Sequence, residues 1–436
     1  MSSYQPNQLH PSLLSISALL PFDGGISASR KQMAGNALSQ TLVISNPTER
    51  LIQTVDREFG KYTFNRKVMD DCVIIRTIER YPRTVNVESI KENPEMVVIY
   101  ENYRTKEVGC MQLNRYFSQH PHFGFRYKVP GHDNPQTGWD ALRAKLQPKT
   151  TLDKGTVLMD SPAVNDNGGY MFGRECNVAF MTHPAVAEDG FLMSEEILQE
   201  FKYYTYETRT VDFGSKSFPL NTYGKEGGPF QAFPEIGQYV REDGLLMALR
   251  PYEDNLSPVM MSKKGISADG LDYTFDERVY VPAGRGRVID IRVMHDPSSV
   301  MPCTPPEMAK QSIKYDEATK RFYQQILAEY KRLEARPEGV SITTEFHRLV
   351  VEAIGVVGLG KAIMRNGRPI NDSLIKQYRK APLDDYRLVF VVEYENTPRE
   401  GNKFTCLHGG KGVVCKTLPR SQMPRDQDGN IADVVI

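Results

Sequence analysis

Residues 401–414 read Gly401-Asn402-Lys403-Phe404-Thr405-Cys406-Leu407-His408-Gly409-Gly410-Lys411-Gly412-Val413-Val414. The stretch follows the apolar run Leu388-Val389-Phe390-Val391-Val392, which predicts a buried strand entering a Gly-rich, basic loop. Glycines let a backbone pass close to a ligand and supply positive φ. Lysines at fixed points offer compact charges to phosphate. Between Gly401 and Arg425 the charged residues are Lys403, Lys411, Lys416, Arg420 and Arg425, with no acid among them. The spacing is not that of a P-loop, since no Gly-Lys-Ser/Thr closes a four-residue spacer. A Gly-rich hairpin with solvated lysines fits the same letters, and periodicity does not choose between the two. Cys406, His408 and Cys415 fit no zinc-ligand spacing and lack a fourth ligand.

Working outward, the chain has 436 residues with 54 Lys+Arg and 54 Asp+Glu. A net charge of zero argues against a protein that coats nucleic acid over its whole surface, and leaves a local basic site open. No window approaches ~18 uninterrupted apolar residues, so no membrane span is expected. MSSYQPNQLHP lacks the basic-then-apolar signature of a secretory signal. Six scattered cysteines suit a reducing compartment.

Residues 51–150 read mainly as β, with Val73-Ile74-Ile75 and a hairpin from Met96–Tyr100 into Val108–Leu113. Gly131–Gly138 reads as a loop. Val157-Leu158-Met159 and Val178-Ala179-Phe180-Met181 are short strands, and Val279–Val281 with Val288–Val293 form an expected strand–turn–strand unit. Thr304-Pro305-Pro306-Glu307 opens a helix that stops at Arg336-Pro337-Glu338-Gly339, and a second helix is expected over about Thr344–Val357. Upstream, Ser29 precedes a helix-like segment from Arg30 to Gln40. An Arg at a helix start opposes the dipole unless an anion meets it. Glu188-Asp189, on a strand-like segment, should point to opposite faces. No Gly-x-Ser-x-Gly elbow occurs, and His120 and His122 read as structural. The expected fold class is therefore α+β and β-rich, with a helical insert.

Taken together, these segments resemble the β subunit of multisubunit DNA-directed RNA polymerases. The family's Gly-Asp-Lys-(Met/Phe)-Ala-x-Arg-His-Gly-x-Lys-Gly, Met-Pro and Asp-Gly…Asp-(Ile/Val)-(Val/Ile) are similar to Gly401–Gly412, Met423-Pro424 and Asp428-Gly429…Asp433-Val434-Val435. Its Asn-Arg-Ala-Leu-Met-Gly-x-Asn-Met-x-x-Gln resembles Ser29–Gln40, preceded by an apolar Pro-Phe approach at Ser17–Phe22. Gly173-Arg174…Val178–Met181, then Glu188-Asp189…Ser194-Glu195, and Val281-Pro282-Ala283-Gly284…Gly286–Asp290 are further matches in family order. Departures are Asn402 for Asp, Leu407 for Arg, and Val186-Ala187 for the usual Asn-Phe.

The resemblance implies one of two facing double-psi β-barrels of a polymerase active site. It implies an Arg30 segment in 1–50, a lobe-like β region in 51–150, barrel parts in 151–205 and 381–436, a flap-like domain in 206–300 and a helical insert in 301–380. Lys403, Lys411 and Arg30 become the expected catalytic residues. His408, Asn36 and Gln40 join them in nucleotide and RNA binding. Asp189 with Glu188 would help hold a second, nucleotide-borne Mg²⁺ indirectly, through water, the first being held by a β′ partner with an Asp-rich loop. Implied partners are that β′-like subunit, a chain supplying the N-terminal β lobes, DNA template, RNA transcript, nucleoside triphosphates and an initiation factor at the flap. The family's N-terminal lobes do not precede Arg30, and the chain stops at Ile436 where the family continues. Either the continuing tail lies outside this sequence or another chain supplies it, and the expectation is a β subunit split between polypeptides, as in giant bacteriophages, acting in the host cytoplasm. A non-catalytic assembly or nucleic-acid-clamping paralogue is the alternative.

Overall fold

The run Leu388–Val392 is apolar on both faces, so it needs cover on both sides and a partner on each edge. It obtains them in a computed structural model that describes residues 16–81, 95–120, 123–132, 134–186, 188–214, 216–225, 227–252, 266, 276–295, 306–358, 364–365, 368–369 and 386–436. Strand Tyr386–Asn396 lies between Arg287–His295 and Tyr203–Phe213, antiparallel to both. Phe123–Arg126 and Tyr116–His120 complete this five-stranded sheet. Its core includes Phe213, Phe233, Val288, Ile291, Leu388 and Phe390, all buried.

A second sheet has four antiparallel strands, ordered Val108–Asn114, Glu95–Asn102, Cys72–Glu79 and Thr151–Leu152. Here the expected 96–113 hairpin stands in register, with Val98 opposite Met111. Helices Pro306–Glu334 and Thr344–Gly358 pack against this sheet through Phe322, Ile326, Phe346 and Leu349, which meet Ile78, Val97, Ile99 and Val108. The helical region is therefore core-forming, on the side of residues 72–114. Its expected hydroxyl cap, Thr304, lies outside the described residues, as do Ala187, His122 and most of 359–385. No helix among the described residues is long and apolar enough to cross a membrane.

The two large sheets are tied by buried charge. Arg80 donates to Glu95 at 2.7 Å and to Asp290 at 2.6 Å, and all three are buried. Such a set holds register only while complete, since removing one partner strands the rest away from water.

The third sheet positions the site. It runs Lys403–Thr405, Lys411–Leu418, Gly190–Ser194, Val434–Val435, Val178–Ala179. Gly190–Ser194 pairs parallel with Lys411–Leu418 and antiparallel with Val434–Val435, so segments distant in sequence become neighbours. Phe191, Met193, Ile197, Val414 and Val434 form its core.

Three expectations need correction. The loop expected over 131–138 gives way to a helix, Pro135–Lys145, capped by Asn134, whose side chain accepts from Gln136 and Thr137. Trp139, Leu142 and Leu146 are buried at helical spacing, a pattern the flanking glycine obscured. The strand–turn–strand unit over 279–293 does not pair with itself: Glu277–Tyr280 joins Leu245–Pro251, whereas Arg287–His295 joins Tyr386–Asn396. Finally, Glu188-Asp189 is not strand. Asp189 has φ 54°, the left-handed region that Asp tolerates, and strand begins at Gly190.

Candidate functional site

Lys403 faces Val413 and Thr405 faces Lys411 across an antiparallel hairpin. Directly opposed residues share a face, as do alternate residues along a strand. Lys403, Thr405, Lys411 and Val413 therefore project together. The burial pattern agrees: Lys403, Lys411 and Val413 are exposed, while Gly412 and Val414, which alternate with them on the second strand, are buried. Thr405 Oγ1 donates to the Gly410 carbonyl at 2.9 Å, bracing the turn between the two lysines.

Two close approaches fix this hairpin. Gly412 passes so near the next strand that a Cβ there would stand 2.0 Å from the Asp189 carbonyl oxygen. At the turn, Gly409 has φ 83°, and a Cβ would stand 2.3 Å from the Arg30 carbonyl oxygen. Only glycine fits either place. Gly409 thereby seats the hairpin on the first turns of helix Ala28–Gln40, which Ser27 caps through its side chain. The Arg30 guanidinium donates to the Gly409 carbonyl at 3.3 Å. That carbonyl is the partner that the helix dipole alone left unexplained. His408 Nε2 lies 3.3 Å from the Pro21 carbonyl, on the segment leading into the helix. That segment is anchored in turn by Arg50, which donates to the Leu19 carbonyl at 2.7 Å and pairs with buried Asp56.

The outcome is a cleft of about 640 Å³ between helix and hairpin. Asn36 and Gln40 from the helix, and Lys403 and Lys411 from the hairpin, line it together. Its floor is apolar and aromatic, including Tyr170, Phe172, Phe201 and Tyr203. These rings were invisible as site residues in the sequence; the alternation of Tyr170 and Phe172 was the one available signal. Arg30 and His408 are not in the cleft lining. They hold the hairpin turn, about two helical turns from Asn36.

The basic run resolves into two classes. Among the described residues neither Lys403 nor Lys411 has a carboxylate within ion-pairing distance, whereas Lys416 lies 3.7 Å from Glu400 and Arg420 reaches Asp433 at 4.0 Å. Glu188 and Asp189 are exposed beside the hairpin, and the Asp189 carbonyl accepts from the Val413 N–H at 3.2 Å. Among the described residues no three His, Cys, Asp or Glu side chains converge as a metal site.

Cysteine chemistry separates by burial. The Cys72 and Cys176 thiols are pushed up to about 11 and Cys110 to about 12, in each case chiefly by burial. At pH 8 their thiolates are scarce, and the thiolate is the nucleophile. Iodoacetamide at pH 8 should therefore modify exposed Cys406 and Cys415 first. Peptide mass mapping that finds Cys110 alkylated as fast as Cys415 would contradict this ordering.

A family model described as RNA polymerase Rpb2, domain 6, matches residues 146–436, about two thirds of the chain and all of the lysine hairpin. The chain belongs to this family. Relatives include the DNA-directed RNA polymerase subunit beta of Acholeplasma laidlawii, 24% identical over 293 residues, covering 65% of this chain and 18% of that protein. The corresponding subunit of Lawsonia intracellularis is 22% identical over 369 residues, covering 70% of this chain and 26% of its own length. That of Chlorobaculum tepidum is 22% identical over 343 residues, with 65% and 26% covered. The chain thus spans about a fifth to a quarter of the length of the curated relatives it matches. In this Rpb2 domain 6 member, Asn402 still serves the hairpin: its side chain accepts from the Arg399 N–H at 2.8 Å.

Proposed function

We propose that this chain is part of a β subunit of a DNA-dependent RNA polymerase and supplies basic residues to its nucleotidyl-transfer site. The observation that carries the reading is the pair Lys403 and Lys411, without a carboxylate partner among the described residues, on one hairpin face and in one cleft with Asn36 and Gln40. In the reaction the RNA 3′-oxygen attacks the α-phosphate of a nucleoside triphosphate, and pyrophosphate leaves. Negative charge gathers on the transferring phosphoryl group, and two preorganised ammonium groups stabilise it without reorganisation. A compact ammonium also follows phosphates as they move between steps. Asn36 and Gln40 offer amide donors and acceptors to the nucleotide or the RNA end. Arg30 sits at the turn, where its guanidinium has donors left for the distal phosphates.

Glu188 and Asp189 are two exposed carboxylates without a third ligand among the described residues, a donor set that fits Mg²⁺ bound mainly through phosphates and another chain. When bound, that ion would offset triphosphate charge. A β′-like subunit with an Asp-rich loop, a chain carrying the N-terminal β lobes, DNA, RNA and an initiation factor at the flap-like region complete the proposed assembly. We further propose a double-psi barrel around the third sheet and a giant-phage polymerase with a divided β subunit, working in the infected host's cytoplasm. The drift at Asn402 and Leu407 supports that origin. The same drift favours the second reading, a non-catalytic clamping paralogue.

Purification through a tag on this chain tests the assignment. Co-recovery of a chain bearing an Asp-rich metal loop is expected, and recovery of a stable, monomeric chain without one would overturn it.

A further inference from the structure

The four-stranded sheet ends at strand Val108–Asn114, which has Glu95–Asn102 as its neighbour on one side only. Antiparallel pairing turns the backbone groups of successive residues alternately toward the neighbour and away from it. Two contacts set the phase here. The Val108 N–H donates outward to the Ser341 carbonyl at 2.8 Å, and the Val108 carbonyl accepts from the Thr343 N–H at 2.9 Å. Cys110, Gln112 and Asn114 therefore also turn both groups outward. Among the described residues none of these three has a backbone partner there.

Natural sheets blunt an open edge with a very short strand, charged side chains, proline or a bulge. The opposite edge of this sheet, Thr151–Leu152, is two residues long. Val108–Asn114 uses none of these devices. It runs seven residues as Val-Gly-Cys-Met-Gln-Leu-Asn, with no charge, no proline and no register shift against its neighbour. Instead the edge borders a groove of about 560 Å³. One wall is helix Thr344–Gly358, which brings Glu345, Arg348 and Glu352 to the groove. Glu352 also accepts from the Tyr323 hydroxyl at 2.6 Å. The other wall is the segment 65–69, with Arg66, Lys67 and Met69 exposed, Arg66 lying over the Tyr127 ring. Among the described residues Glu345 and Lys67 have no ion pair. Along the edge Cys110 packs on the helix side, and Met111 and Leu113 pack on the other.

We propose that this edge is the docking site for an extended segment of another polypeptide, which adds as a further strand. The outward N–H and C=O groups of Cys110 and Gln112 hold its backbone, and its side chains alternate between the two walls. Basic side chains face Glu345 and Glu352, and apolar or acidic ones face Met69 and Lys67. A nucleic-acid strand fits this groove poorly, because its phosphates would meet the two glutamates. The groove shares no lining residue with the lysine cleft, so docking here is separate from nucleotidyl transfer.

Hydrogen exchange at single-amide resolution on the complex purified through this chain tests the proposal. In the intact complex the Cys110 and Gln112 amides should exchange about as slowly as those of Met111 and Leu113, which face Glu95–Asn102. Gln112→Pro removes an outward donor that the sheet itself does not use, and edge strands tolerate proline at such a place. It should speed exchange at Cys110 at least tenfold while Met111 stays slow, which shows that the sheet is intact. A p-benzoylphenylalanine placed at position 112 should crosslink to one segment of a second polypeptide with basic side chains at alternate positions. Glu345→Lys should lower that yield at least fivefold. Fast exchange at Cys110 and Gln112 beside a slow Met111 would overturn the proposal. So would crosslinks only to nucleic acid, to this chain itself or to a second copy of it, or an unchanged yield in a folded Glu345→Lys complex.

Discussion

Replacing Lys411 by Ala is expected to lower nucleotide addition by about 10²–10³-fold, the loss typical of removing one preorganised donor from a transition state. Lys403→Ala should act in the same direction. Both side chains are exposed and have no ion partner among the described residues, so neither deletion disturbs packing. Assembly of the complex should survive. Lys416→Ala is the internal control, because it removes a lysine from the same strand that already pairs with Glu400. An exposed pair of this kind contributes about 0–1 kcal/mol, and its loss should leave elongation near normal. Single-nucleotide addition by purified complexes measures all three. Near-normal elongation by Lys411→Ala would remove the role assigned here, and equal loss in all three would mean that hairpin charge as a whole matters instead of two positioned groups.

Gly412→Ala should be the most damaging small substitution in the hairpin. The added Cβ would stand 2.0 Å from the Asp189 carbonyl oxygen and 3.0 Å from the Phe191 ring. Backbone cannot yield there without opening the parallel pairing of Gly190 with Val413 and of Phe191 with Val414. Overpacking of this kind costs about 1–3 kcal/mol and occasionally more. It also turns the face that carries both lysines, so activity should fall together with stability. Gly24→Ala provides the comparison, because nothing lies within 4 Å of its Cβ position. Thermal melting and nucleotide addition should both drop for Gly412→Ala and neither for Gly24→Ala. A Gly412→Ala protein with wild-type melting would show that the two strands are not held as tightly as the geometry implies.

Much of this architecture was legible because it is local. Hydrophobic runs at 73–75, 96–100, 108–113 and 388–392 announced strands, which extend in the fold to Cys72–Glu79, Glu95–Asn102, Val108–Asn114 and Tyr386–Asn396, and the periodicity after Pro306 announced a helix. Failures came where partners are distant or caps are subtle. Val279 and Val288 look like one hairpin, yet each finds a better-matched strand elsewhere, and no local signal reports that competition. The helix at 135–145 rests on an Asn-Pro start and a buried Trp, both overshadowed by flanking turn residues.

By itself the sequence determined the residue types available for chemistry and the strands that carry them. Four glycines, two lysines and a following acid-free run marked a basic segment able to approach another backbone closely. Only the tertiary structure decided which charges are spent on folding and which are left for a ligand. It paired Lys416 with Glu400 and brought Arg420 to Asp433, and it gave Arg30 to the Gly409 carbonyl and His408 to the Pro21 carbonyl. Lys403 and Lys411 were left in one cleft with Asn36 and Gln40. The physical reason is that an ion pair or hydrogen bond depends on distance in space. These partners are separated in sequence by up to several hundred residues, and only sheet register and helix packing bring them within reach.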